Sequence, residues 1–297
     1  MDYNKLEGLK EELRTYEEVF NSGDFSKAQE MLSHTLEVVE EEITQRKAGE
    51  IDNDLNVLIS RGEGEIYISL NHVMEYYLYA CYFEPEEKVN ILEIPIGSYY
   101  RTYGDLCLKL EKYKTAEDAY KKSLCYNPVD LDSYLGLAEC YKHLNMLGRF
   151  LDVTKQAYRY CCTRATMARY YRNMGFYYLS KYNTDMARAC YLYSNIYYHT
   201  ENADSELEYL KSALSDETPD YSISDMQQMF DKEGVEPGPD SKTIGIIYRV
   251  AELMMEDKEY VLARDCYSIV YDITREPQFE PLLKELDMVV ENGGDNV

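Results

Sequence analysis

Seven residues in one short stretch carry the charges and rings that molecular recognition uses. Arg159, Tyr160, Arg164, Arg169, Tyr170, Tyr171 and Arg172 interleave basic with aromatic side chains. Guanidinium groups pair bidentately with carboxylates and phosphates, and rings stack on bases. The chemistry on offer is therefore capture of an acidic peptide or of single-stranded RNA. The surroundings sharpen this. Between Tyr99 and Thr200 there are 15 Lys and Arg against 9 Asp and Glu, a local charge of +6. The whole 297-residue chain carries −24, so the two flanks together hold −30. Cations clustered within a Debye length, about 8–10 Å, attract anions even on an acidic protein. A sequence pI of about 4.6 is the reverse of the usual nucleic-acid footprint, which puts an acidic protein segment ahead of RNA.

Covalent and metal chemistry find less support. Of the eight cysteines, Cys107, Cys140, Cys190 and Cys266 fall at helical packing positions, where Cys acts as a small apolar residue. No Cys-x-x-Cys pair occurs, and adjacent Cys161 and Cys162 are poorly placed to share a structural metal. His34, His72, His143 and His199 lie far apart from one another in the sequence. The chain has no phosphate-cradling Gly-rich loop, no Gly-x-Ser-x-Gly and no His-Glu-x-x-His. The expectation is a non-enzyme with no cofactor and no metal. No apolar run approaches the roughly 18 residues of a membrane helix. The first residues, Met1 to Lys5, lead into an amphipathic helix rather than a secretory signal, so a cytoplasmic location is expected.

The elements that must position these residues are repeats. Gly97 to Pro128 holds Tyr100, Tyr103, Gly104 and Cys107, then Ala116, Tyr120, Ser123 and Pro128. From Leu131 the corresponding slots hold Tyr134, Leu137, Ala138, Tyr141, Phe150, Thr154 and Ala157. From Ala168 they hold Tyr171, Met174, Gly175, Tyr178, Ala187, Tyr191 and Ser194. From Ile244 they hold Ile247, Val250, Ala251, Met254, Ala263, Tyr267 and Val270. Small residues mark close helix approach, tyrosines fill the neighbouring grooves, and Pro128 stops a helix.

Over about residues 97–277 this pattern resembles the tetratricopeptide repeat family. The resemblance implies an all-α fold, a right-handed α-solenoid of antiparallel helix pairs, with roughly 14–15 helices in this chain. The expected segments are an N-terminal helical or degenerate repeat region over 1–94, three well-matched repeats over 95–201, a degenerate repeat over 202–243, and a last repeat with its cap over 244–297, all in one continuous array. In this family the first helices line a concave groove that takes a peptide or helix. The implied groove positions are Arg101, Asp105, Leu108, Lys109, Leu135, Glu139, Lys142, His143, Arg169, Arg172, Phe176 and Leu179. Basic groups beside apolar anchors suit a protein or peptide partner with acidic residues or a free carboxylate. The function implied is a non-catalytic interaction scaffold. Two alternatives remain: single-stranded RNA or another anionic ligand on the Tyr-rich middle, and self-association, as a homodimer or with the acidic flanks covering the basic middle.

The flanks are read from local signals. Residues 3–46 form a helix pair, with Leu6, Leu9, Leu13, Tyr16 and Val19 on one helix and Phe25, Ala28, Leu32 and Thr35 on the next. Lys47 to Asn53 reads as a loop. Glu65 to Phe83 reads as one helix with Leu70, Val73, Met74, Tyr77 and Cys81 on its apolar side. Residues 84–94, bracketed by Pro85 and Pro95, read as extended or as a short helical turn. In the degenerate repeat, Ala203 to Leu214 carries Leu207, Leu210 and Leu214, and Asp225 to Glu233 follows with Ser224 as its cap and Gln227 in the capping-box position. Glu233 to Asp240 reads as a plain inter-helix loop, Glu280 to Val290 as a solvating cap helix, and Glu291 to Val297 as a frayed end.

Overall fold

The computed structural model describes residues 11–12, 15–43, 50–51, 57–58, 64–92, 94–213 and 220–292. Leu6, Leu9, Leu13, Leu214, most of the expected 47–53 loop and the 293–297 end lie outside them. The described chain is predominantly helical, with neighbouring helices packed side by side as in an α-helical repeat. It divides into two compact units, residues 1–153 and 154–297.

The first unit begins with α1, whose continuous described part is residues 15–21, and α2 (Phe25–Ile43). Tyr16, Ala28, Leu32, Leu36 and Val39 from this pair are buried with Ile96, Tyr100, Leu106 and Tyr126 in one core. Two small sheets come next. β1 (Glu50–Ile51) pairs antiparallel with β2 (Val57–Leu58). β3 (Glu65–Ile68) pairs in parallel with β4 (Lys88–Ile91), in register Glu65 with Lys88 through Ile68 with Ile91. Between them runs α3 (Val73–Phe83).

This corrects the reading of 65–83 as a single helix. Ile66 and Ile68 alternate inward, the period of a strand, and both are buried. The face of α3 is corrected too: Glu75, Leu78 and Tyr79 are buried, whereas Val73 is exposed. Residues 84–94 resolve to the extended alternative, since 88–91 is β4. Glu50 and Ile51, expected in a loop, form β1.

Helical pairs follow. α4 (Ile96–Lys109) and α5 (Tyr113–Tyr126) pack together, and α6 (Leu131–His143) packs on both. The boundary between the units falls inside α7 (Leu147–Tyr158). In the second unit α8 (Arg164–Ser180) pairs with α9 (Thr184–Tyr197), and α10 (Glu201–Ala213) and α11 (Ile223–Glu233) both pack on α9. α12 (Ser241–Glu256) pairs with α13 (Tyr260–Thr274), which carries α14 (Phe279–Glu291).

The repeat stripe is where the pairs close. Tyr100, Ala116, Tyr120, Pro128, Tyr134, Ala138, Tyr141, Tyr171, Ala187, Tyr191, Ala251, Ala263 and Tyr267 are all buried. Gly104 and Gly175 are buried as well, while Tyr103 is half-buried, donated to by Gln29 Nε2 at 2.8 Å. Tyr120 is wedged between two glycines. A Cβ at Gly104 would meet its ring at 2.8 Å, and one at Gly136 at 2.3 Å. Gly175 repeats the device against Tyr191 at 3.0 Å. No larger residue permits these approaches, which explains glycine inside three helices despite its low propensity.

The cap of α11 is also corrected. Ser222, not Ser224, sits at the N-cap and accepts from Asp225 N at 3.2 Å, and Asp225 closes the capping box. Gly234 ends the helix at φ 66°, as its type suggests. Gln227 turns instead to the Tyr193 hydroxyl at 3.0 Å.

Candidate functional site

The expected binding positions are all at least partly exposed on their helices, but their charges are not equally available. In the first unit the cations are engaged within the protein. Arg101 Nη1 lies 3.0 Å from Asp130 Oδ1 and 3.3 Å from Asp132 Oδ2. Burial pushes the Asp130 carboxyl up, and Arg101 pulls it back. Lys109 Nζ sits 3.6 Å over the Phe25 ring. Lys142 Nζ is 3.5 Å from Glu139 Oε1, and His143 stacks on Tyr113 with ring centroids 4.4 Å apart. Asp105 accepts from the Tyr120 hydroxyl at 2.6 Å, so it serves that buried tyrosine. The expected basic floor here is therefore a neutralised surface in which Leu108 and Leu135 remain part-exposed.

A second carboxylate of this unit escaped the sequence reading. Glu117, taken for none of the binding positions, has a fully buried side chain. It accepts from Lys114 Nζ at 2.5 Å and Lys121 Nζ at 2.7 Å, with Arg149 Nη1 at 3.5 Å. Burial works against its charge, but the two lysine hydrogen bonds outweigh this and hold its pKa below the ordinary value. Glu75 is similar: only 5% exposed, it accepts from Asn71 N at 2.6 Å and Asn127 Nδ2 at 2.8 Å, tying α3 to the α5–α6 turn. The two lysines sit at i−3 and i+4 of Glu117 on the same helix, a spacing the sequence does offer, whereas Arg149 and the Asn127 partner of Glu75 arrive from other parts of the chain.

Arg169, Arg172, Asn173 and Phe176 recur at i, i+3, i+4 and i+7 on α8, one side of the helix. Arg172 Nη1 is closed from solvent with no hydrogen-bond partner among the described residues, and so is Asn173 Nδ2. Burial, then the neighbouring Arg169 charge, pushes the Arg172 pKa down. Phe176 and Leu179 stand beside them, both part-exposed.

The aromatic half of the 159–172 stretch turns inward. Tyr160, Tyr170 and Tyr171 are 5%, 3% and 0% exposed, so their faces are not offered to bases. Tyr171 stacks on Phe230 at 5.6 Å and packs edge-on to Tyr193 at 4.9 Å. The hydroxyls then hold one loop. Tyr171 donates to Glu236 O at 2.8 Å, Tyr193 to Pro237 O at 2.7 Å and Tyr158 to Gly238 O at 2.9 Å. Residues 234–240 are the expected inter-helix loop, and these three hydroxyls hold it.

The six buried cysteines are Cys107, Cys140, Cys161, Cys162, Cys190 and Cys266. Burial pushes the Cys140 thiol up to about 12 and those of Cys162 and Cys266 up to about 11, which disfavours the reactive thiolate. No helix among the described residues is long and apolar enough to cross a membrane. Set against known proteins, the chain matches no protein-family model and no curated protein.

Proposed function

We propose that the chain is a non-catalytic interaction scaffold of the tetratricopeptide type, its helix pairs following a right-handed superhelix, and that the first helices of its repeats take a peptide or protein segment. One observation carries the reading. α4, α6 and α8 each bury a Tyr/Gly/Ala stripe while leaving a second face part-exposed, with Leu108, Leu135 and Phe176 beside polar groups. Helices locked by aromatic rings on glycine hold that second face in place before a partner arrives, which reduces the ordering cost of association. The inward turn of Tyr160, Tyr170 and Tyr171 weighs against the RNA alternative, because stacking needs an open ring face.

The test is affinity purification of the full chain from its host, followed by mass spectrometry. Leu135→Asp with Phe176→Asp should lose a discrete set of proteins at unchanged helicity. A prey list indifferent to both substitutions would overturn the groove, and recovery that depends on RNA would install the alternative.

A further inference from the structure

The helix α3 lies outside the repeat pairs and is poorly covered for its composition. Between Ile66 and Phe83 the sole formal charge is Glu75, in a chain of which 29% is charged. α3 is apolar on every side, and such a helix ordinarily belongs in a core. Glu75, Leu78 and Tyr79 do turn inward, yet no other described element runs along α3 as α5 runs along α4. The opposite side is open. Val73, Tyr77 and Ala80 follow one another at i, i+4 and i+7, with Tyr76 beside them. Val73 is 42% and Tyr76 40% exposed, and Tyr77 and Ala80 are half-buried. A tyrosine-rich stripe without charge is the composition found at the centre of protein interfaces, with charged groups kept to the rim.

The stripe ends in charge. Glu84 closes α3 with a left-handed backbone, φ 43°, which glycine adopts more readily. It also sets a carboxylate at the negative end of the helix dipole, and the last turn holds no basic residue to offset it. Glu86 follows, exposed as Glu84 is. Local stability disfavours Glu84 on both counts, which points to a use outside the fold. We propose that α3, with Glu84 and Glu86 at its end, docks an amphipathic helix of another protein, apolar at i, i+3, i+4 and i+7 and carrying Lys or Arg at one end. Its apolar residues cover Val73, Tyr76, Tyr77 and Ala80, and its cations meet the two carboxylates and the last carbonyls of α3. A second copy of this chain fits less well, because each copy brings a charge of −24. The face is separate from the first helices of the repeats, so it stands whether or not those take a segment.

The test titrates the full chain into a fluorescently labelled synthetic helix of about 15 residues, with a leucine stripe and lysines in one end turn. A second peptide has glutamates in place of those lysines. The lysine peptide should bind saturably and protect the amides of 73–84 from hydrogen exchange. Val73→Asp with Tyr76→Asp should abolish binding at unchanged helicity, both acids lying in the first turn of α3, where they suit the dipole. Glu84→Lys with Glu86→Lys should weaken the lysine peptide by about tenfold, as attraction becomes repulsion, and should let the glutamate peptide bind instead. Glu84→Gly should weaken the lysine peptide while raising the melting temperature, since it relieves the left-handed backbone. Binding indifferent to the Val73/Tyr76 pair would overturn the docking face, and show only general attraction of a cation to an acidic protein. Peptides that fail to exchange preference on the charge swap would overturn the basic partner. A melting temperature that falls in Glu84→Gly would return that residue to the fold. A mass that doubles with concentration and reverts in Tyr76→Asp, with no peptide bound, would put a second copy in the partner's place.

Discussion

At the scale of single residues, burial decides what a side chain can do more than its type does. Glu117 shows this for charge. Its folded-state pKa is depressed, so it contributes stability that is complete above the ordinary Glu value of about 4.3 and is lost as pH falls through the lower folded value. Glu117→Gln should therefore cost on the order of 3 kcal/mol near neutrality, because three cations lose their partner. In denaturant melts the gap from wild type should narrow below about pH 4; a gap that holds constant would mean the ion pair contributes nothing. The glycines show it for size. Gly136→Ala should destabilise by on the order of 1–3 kcal/mol through overlap with Tyr120, and Gly175→Ala by less, its clearance being 3.0 rather than 2.3 Å. Gly245→Ala, with nothing within 4 Å, should instead stabilise by roughly 0.5–1 kcal/mol through helix propensity. The order of the three melting temperatures is the check. Thiol accessibility offers a separate one: a soluble alkylating reagent should modify part-exposed Cys81 and Cys125 well before the six buried cysteines, read by mass spectrometry under native conditions.

At the scale of elements, irregular segments are held by specific acceptors rather than by their own propensity. The 236–238 carbonyls depend on three tyrosine hydroxyls from α7, α8 and α9. Removing one hydroxyl, as in Tyr193→Phe, should cost about 1 kcal/mol and raise protease nicking in 234–240. The triple Phe variant should open that segment while the α8–α9 pair stays protected from hydrogen exchange. Protection lost across both would show that the clamp also holds the pair. The parallel β3–β4 ladder with α3 between its strands is likewise a tertiary product. Four-residue strands gain little alone, and Ser69 N donating to Tyr126 O at 2.9 Å anchors the crossover to α5.

At the scale of the whole molecule, a net charge of −24 sets the long-range term. Like charge repels within a compact chain, so the melting temperature should rise as sodium chloride increases from low to roughly physiological concentration. A flat or falling response would mean that paired groups such as Glu117 outweigh the acidic excess. Much of the helical plan was legible in the chain because repeat packing is local. A small residue, a ring and a helix stop recur at fixed spacing wherever two helices must touch, and Ile247, Ala251, Ala263 and Tyr267 could be placed from spacing alone before being found buried. The candidate site was legible only in part. Arg101, Lys109, Lys142, Arg169 and Arg172 look equivalent as letters, and nothing in their spacing tells which already holds a partner.

By itself, then, the amino-acid order determined the helix pairs after residue 95, the positions of their contacts and the uneven spread of charge, all set by periodicity and composition over a few turns. Only the tertiary structure decided that Glu65–Ile68 is a strand, that Tyr160, Tyr170 and Tyr171 face inward, and that Arg101 meets two carboxylates while Arg172 Nη1 is buried with no partner among the described residues. Each of these depends on a group that arrives from a distant part of the chain. Pairing and burial are properties of that arrival, not of local sequence.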